Sequence, residues 1–319
     1  MKLTLHSTIV YFIFLVVCSF FIILTTTQSN QNFHVYYDFL LREVQDVAPS
    51  LLQSVPNLSN DITLVNCTSI VDIQPINIFR MEHTQTQQQY KISLSWWDVR
   101  ISKNRNRSDV VVRSNPTIRK LQDLLIQYPG AFVDVGANVG FIANFGTVLN
   151  RTVYAIDPIS YNIAKICEGY RENTRVGWAV PGSLRLYHAA AGPSFQPIIN
   201  ISRPSDDVGF FDQASLSREA VFHNKVVTET IPMLPVDDLV SEKIGVLKID
   251  VQGHEYGVLK GMHKILSGIN YPSAIFFEEN EKLAVAAGYS PGQCTGLLSN
   301  HYGYNCTDVK GNLLCVKEK

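Results

Sequence analysis

The sequence predicts an α/β protein: a doubly wound parallel sheet with flanking helices, preceded by a membrane anchor and an N-terminal extension. Three observations lead there. From about residue 109 onward, short apolar runs alternate with glycine-bearing turns and helical stretches, the pattern of strand, crossover helix and next strand. One of these runs, AFVDVGANVGF at Ala131–Phe141, enters a glycine turn and then a helix. Near the start, TIVYFIFLVVCSFFIIL at Thr8–Leu24 is an uncharged apolar block. Composition agrees with a folded chain: of 319 residues, 46% are hydrophobic and 17% charged, which excludes a disordered or fibrous protein. With 27 Lys and Arg against 28 Asp and Glu, the net charge of -1 offers no positive field for a phosphate backbone, so nucleic acid is not an expected partner.

Taken in order, residues 1–7 read as a cytosolic tail and 8–24 as a transmembrane signal-anchor. As a helix the block spans about 26 Å, enough for the thinner bilayer of the endoplasmic reticulum. Lys2 precedes it and no Lys or Arg follows until Arg42, so the positive-inside rule places the remainder in the lumen. The expectation is a single-pass type II protein of the endoplasmic reticulum or Golgi. The alternative is secretion after signal cleavage at the Thr25–Ser29 stretch, whose small residues fit an A-x-A pattern only loosely. Sequons at Asn57, Asn66, Asn106, Asn150, Asn200 and Asn305 suit an exported glycoprotein. So do the cysteines beyond the block, Cys67, Cys167, Cys294, Cys306 and Cys315; a bridge is expected within the last three, with connectivity open. No C-x-x-C occurs, and no metal site is expected.

Residues 25–108 read as a luminal stem and extension, and 109–319 as the catalytic domain. KISLSW and Val110–Val112 are strand-like, and Thr117–Tyr128 carries Ile118, Leu121, Leu124 and Leu125 at helical spacing. In the glycine turn, Gly136 allows a tight bend and Gly140 lets the helix approach the strand. The spacing Gly136-x-x-x-Gly140 is not the G-x-G-x-x-G of dinucleotide enzymes, and no Gly-Lys follows to make a phosphate loop. The next strand, Val153–Ile156, ends in Asp157, where a carboxylate can accept both hydroxyls of a ribose.

D-x-G-x-x-x-G followed by an acid at the next strand end resembles the class I S-adenosylmethionine-dependent methyltransferases. Downstream, VLKIDVQGHEYGVLKGM at Val246–Met262 resembles the signature of the FkbM methyltransferases, usually LKIDVEGxExxVLKG. LPVDDLV at Leu234–Val240 and AIFFEEN at Ala274–Asn280 are similar to further segments of that family. The resemblance covers about Gln122 to Val316, and Gln252 stands where the family usually has Glu. It implies a Rossmann-like methyltransferase sheet and S-adenosylmethionine as cofactor. Asp134, Gly136 and Gly140 would line its methionine half and Asp157 its ribose, with Asn138 and Phe141 lining the turn. It also implies methyl transfer to oxygen, and luminal placement makes a glycan or small-molecule hydroxyl the expected acceptor. At the third strand, LRLYHAAAG, no acid stands ready for the adenine amine, so backbone contacts are expected.

Sulfonium methyl transfer needs no protonation of the leaving group, only alignment and removal of the acceptor's proton. Asp250, at the end of a strand, is the first candidate for that work, with helix capping or pairing to Lys248 as the alternative. His254 and Glu255, opening the next helix, are further candidates, as are Glu278 and Glu279 at the following strand end. Other readings fit less well. No Asp-x-Asp supports a metal-dependent glycosyltransferase, and GPSFQ at Gly192–Gln196 spoils a serine-hydrolase elbow. A degenerate fold acting as a luminal binding module stays open because of Gln252.

Overall fold

Why an apolar run becomes a central strand is visible at once in the computed structural model, which describes residues 64–67, 77–83, 86–94, 116–204, 215–216 and 226–317. Strands β4 (Ala131–Val135), β5 (Val153–Asp157), β10 (Ile244–Ile249) and β11 (Ala274–Phe277) are almost wholly buried, as unbroken hydrophobic runs must be when helices cover both faces. They form the parallel heart of an eight-stranded sheet. Its other members are β1 (Leu64–Val65), β6 (Leu184–His188), β12 (Asn305–Val309) and β13 (Asn312–Val316), and the order is β1-β6-β5-β4-β10-β11-β13-β12. β1 and the β12–β13 hairpin run antiparallel to their neighbours and close the two edges.

One face is covered by α1 (Pro116–Gln127), α2 (Phe141–Val148) and α3 (Ser160–Arg175), whose Leu121, Leu124, Phe145 and Ile166 pack under Phe132 and Phe276. Pro116 opens α1 at a position where its missing N–H costs nothing and its fixed φ suits the helix. The opposite face packs Val258, Leu259 and Met262 against Val135, Leu247 and Ile249. These come from α4 (Glu255–Lys260) and the start of α5 (His263–Ser267). Asp237, in the LPVDDLV segment, caps α5 by accepting from the Lys264 and Ile265 amides, both at 2.8 Å. The chain continues through α6 (Glu281–Ala286) and α7 (Gln293–Gly296). A smaller sheet, β7 (Ala190–Ala191), β9 (Val226–Leu234) and β8 (Gln196–Pro204), branches from the end of β6.

Described residues on both sides of the expected boundary near residue 109 pack together. All described residues belong to one unit, Leu58–Lys319, and parts of the supposed stem are built into it. β1 pairs with β6, and the hairpin β2 (Asn77–Glu82) and β3 (Gln89–Leu94) packs over α2 and α3. Tyr90 is fully buried edge-on to Phe145, and the Asn173 amide both accepts from the Lys91 N–H and donates to the Lys91 carbonyl. Cys67 is bonded to Cys167 of α3, and Cys306 to Cys315 across the last hairpin, which meets the expectation of a bridge in the C-terminal trio; Cys294 is free and buried. The anchor at 8–24 and the strand expected at Val110–Val112 lie outside the described residues. Among the described residues no helix is long and apolar enough to cross a membrane.

Candidate active site

The order of the sheet reverses between β4 and β10, since the chain moves outward from β4 to β5 and β6 on one side and to β10 and β11 on the other. Open α/β sheets bind ligands at such a point, beyond the carboxyl ends of the strands. A cavity of about 260 Å³ lies there, lined by the β4–α2 turn, the ends of β5, β10 and β11, and Ala189–Ala191.

The turn owes its shape to Gly136 and Asn138. Gly136 has φ +78°, and a Cβ on it would stand 1.9 Å from the Asp250 carbonyl oxygen, so no other residue fits beside β10. Asn138 also takes positive φ, which its side chain supports by accepting from the Val139 N–H. The Asn138 N–H is thereby turned toward Asp157 and donates to its Oδ2 at 2.8 Å.

Three of the residues expected around the cofactor do not line this cavity. Asp134 is 1% exposed and does not line the cavity. Register sets Lys248 of β10 directly beside it, and the ammonium donates to Asp134 Oδ1 at 3.0 Å and to the Gly136 carbonyl at 2.7 Å. Burial raises the Asp134 carboxyl, an effect the Lys248 charge opposes. Burial pulls Lys248 the other way, but Asp134, Asp250 and Asp157 outweigh it and keep the lysine charged. Gly140 faces α3 rather than a strand, with a Cβ position 2.8 Å from Asn144 Nδ2 and 3.0 Å from Ile166 Cγ1. Phe141 packs into the core beneath the turn.

Asp157 does face the cavity. Besides Asn138, it accepts from the Ile159 N–H and from Asn162 Nδ2, both on Oδ1 at 3.0 Å. Burial nevertheless pushes its carboxyl up to about 7. Asn162, in the first turn of α3, was not singled out by the sequence; five residues beyond a strand-end acid is its one clue. Further along, Ala189–Ala191 bring backbone, and no acid, to the cavity.

On the other wall Asp250 lines the cavity. Lys248 does not pair with it; instead Gln252 Nε2 donates to Asp250 Oδ1 at 2.9 Å. Gln252 sits at φ +55°, and its carbonyl accepts from Ser215 Oγ. His254 and Glu278 line the same wall. His254 Nδ1 is 3.1 Å from the Tyr289 hydroxyl, Nε2 is buried without a partner, and burial lowers the ring to about 4, so it is neutral near pH 7. Burial, then the Asp250 charge, raises Glu278.

Glu255 turns away from the cavity. Its Oε1 accepts from the Val251 and Gly253 amides at 3.0 and 3.2 Å, which closes the tight turn before α4 and occupies the carboxylate. Burial pushes it to about 7. Glu279 likewise accepts from the Cys294 N–H and the Thr295 hydroxyl. Among the described residues no group of three or more His, Cys, Asp or Glu could hold a metal ion.

The profile of the Methyltransferase FkbM domain matches residues 134–305. Among solved structures, an FkbM methyltransferase from Methylobacillus flagellatus KT aligns at 18% identity and TM-score 0.40, covering 59% of this chain and 43% of its own. The chain therefore spans less than half of that relative's length. A rRNA methylase from Streptococcus thermophilus aligns at 15% identity and TM-score 0.36, covering 65% and 99% of the two chains. A 16S rRNA methyltransferase from T. thermophilus, in complex with AdoMet and guanosine, aligns at 9% identity and TM-score 0.41, covering 79% and 53%. No curated protein matches the chain.

Proposed function

The chain belongs to the FkbM methyltransferase family, and from that premise we propose that it transfers a methyl group from S-adenosylmethionine to a hydroxyl of a glycan or small-molecule acceptor. One observation carries the reading: a buried acid at the end of β5, Asp157, is aimed into the switch-point cavity and locked to the β4–α2 turn by the Asn138 N–H. The residues fit a nucleoside there. Gly136 leaves the turn open, Asp157 supplies an acceptor for ribose, and Ile159 and Ala189–Ala191 offer an apolar slot with backbone groups for a base.

Bound S-adenosylmethionine supplies a methyl group on a sulfonium centre, whose departure needs no acid. The protein's own work is alignment and deprotonation. Gln252 holds one oxygen of Asp250 and leaves the other for an acceptor hydroxyl. His254 lines the same wall, but its Nε2 packs against Gly257 and burial keeps the ring neutral, so the proton falls to Asp250. Glu278 adds negative charge to the same wall, which suits a neutral hydroxyl and disfavours an anionic acceptor.

Placement in the secretory pathway, through the apolar block at 8–24, accords with an oxidised body. Two disulfides brace it, and the sequon asparagines Asn66, Asn150, Asn200 and Asn305 are all exposed. Calorimetric titration of the full-length chain in detergent with S-adenosylmethionine and S-adenosylhomocysteine tests the reading. Binding by wild type that is lost in Asp157→Ala is expected, followed by acceptor screening with labelled methyl donor. Absence of binding by folded wild-type protein would overturn it.

A further inference from the structure

Counting acceptor positions around Asp157 exposes a shortfall. A carboxylate has about four lone-pair sites. Three are taken by N–H donors: Oδ1 by Ile159 and by Asn162 Nδ2, and Oδ2 by Asn138. One site remains, on Oδ2, whereas a ribose presents two vicinal hydroxyls. Asp157 alone therefore cannot receive both without giving up a bond that shapes the turn or the start of α3.

The missing acceptor stands beside it. Asn162 is 2% exposed and lines the cavity, and its Oδ1 is buried with no partner. In the ionised form of Asp157, the form that hydroxyl donors favour, the carboxylate only accepts, so the amide nitrogen faces Asp157 and the oxygen faces away. A buried carbonyl oxygen left bare is costly unless something fills it. Among the described residues five buried side-chain nitrogen or oxygen atoms lack a partner. Only Asn162 Oδ1 and His254 Nε2 belong to residues lining this cavity, one on each wall.

We propose that Asn162 is a cofactor-binding residue, its Oδ1 accepting one ribose hydroxyl while Asp157 Oδ2 accepts the other. This rests on the reading that the cavity holds S-adenosylmethionine. The diol is then shared between an amide and a carboxylate, and Asn162 at once holds Asp157 in place and completes its work.

Calorimetry on the full-length chain in detergent, using S-adenosylhomocysteine and its 2′-deoxy and 3′-deoxy forms, tests the assignment. In wild type each deoxy form is expected to bind roughly tenfold more weakly than the parent, one buried acceptor being left bare each time. Asn162→Leu is expected to weaken the parent by a similar factor and to become indifferent to the loss of one hydroxyl, while still penalising loss of the other. Should that variant fail to melt cooperatively, Asn162→Ser, which keeps a hydroxyl acceptor on a smaller side chain, is expected to show a reduced penalty at the same hydroxyl. Penalties that stay equal in wild type and variants overturn the proposal. So does a penalty for S-inosylhomocysteine that vanishes only in the variants, which would assign Asn162 to the base. No binding of S-adenosylhomocysteine by folded wild type is a separate result and removes the methyltransferase reading itself.

Discussion

Each wall of the cavity holds one polar atom without a partner, Asn162 Oδ1 on one side and His254 Nε2 on the other, and the walls differ in how their acids are held. On the β4–β5 side Asp157 is held by three N–H donors, and Asp134 behind it is paired with Lys248. On the β10–β11 side Asp250 has the Gln252 amide, Glu278 has Asn280, and His254 Nε2 has nothing. A wall whose groups are fixed by backbone suits a ligand that never changes, since no reorganisation is needed when it arrives. A wall whose acid is held by one side-chain amide suits a partner whose proton must be taken and whose product must leave.

Substitutions that touch one wall and spare the other would sharpen this contrast. Asp250→Asn is expected to lower turnover by roughly 10²- to 10⁴-fold, the range of general-base effects, while leaving S-adenosylhomocysteine affinity unchanged by calorimetry. A parallel loss of affinity would erase the division between the walls. Lys248→Met is next in size. It leaves the buried Asp134 carboxylate unpaired, so urea unfolding should show a loss of about 3–5 kcal/mol, and adding Asp134→Leu should restore most of it.

Cofactor affinity should also depend on pH. The empty Asp157 carboxyl titrates near 7, and hydroxyl donors favour its ionised form, so S-adenosylhomocysteine should bind more tightly at pH 8 than at pH 6, by up to about tenfold per unit below 7. Flat affinity across that range would show that Asp157 is ionised before the ligand arrives. The smallest effect concerns the empty protein. Asp157 and Glu255 both titrate near 7 when folded, above ordinary carboxylates, so their contribution to stability is complete below about pH 4 and is lost as pH rises toward 7. Each costs up to about 1.4 kcal/mol per pH unit within that window. Thermal unfolding at pH 5 and pH 7.5 should show the decline, and S-adenosylhomocysteine should offset the Asp157 part alone.

Much of this architecture is legible in the sequence because its signals are local. The apolar runs that become β4, β5, β10 and β11, the bend at Gly136 and the acid ending β5 each depend on a few consecutive residues. What is not legible depends on register. Lys248 could have paired with Asp250, two residues on; it meets Asp134 because parallel pairing sets those two side by side. Glu255 looks like a free acid at a helix start until the turn at Gln252 and Gly253 folds the backbone amides onto it. The extension reads as a stem because β1 is two residues long and its partner, β6, lies far along the chain.

The two bridges mark the two ends of the sheet. Cys67 lies just past β1, which covers β6, and Cys306–Cys315 ties β12 to β13 at the other border. A sheet border that loses its cover offers a row of unpaired amides and carbonyls to any passing chain. Both covers are short strands whose hold is partly covalent, so a thiol reductant works first on the boundaries of this sheet and leaves its parallel middle alone. The expected sign of reduction is self-association by strand addition, ahead of any loss of the cavity.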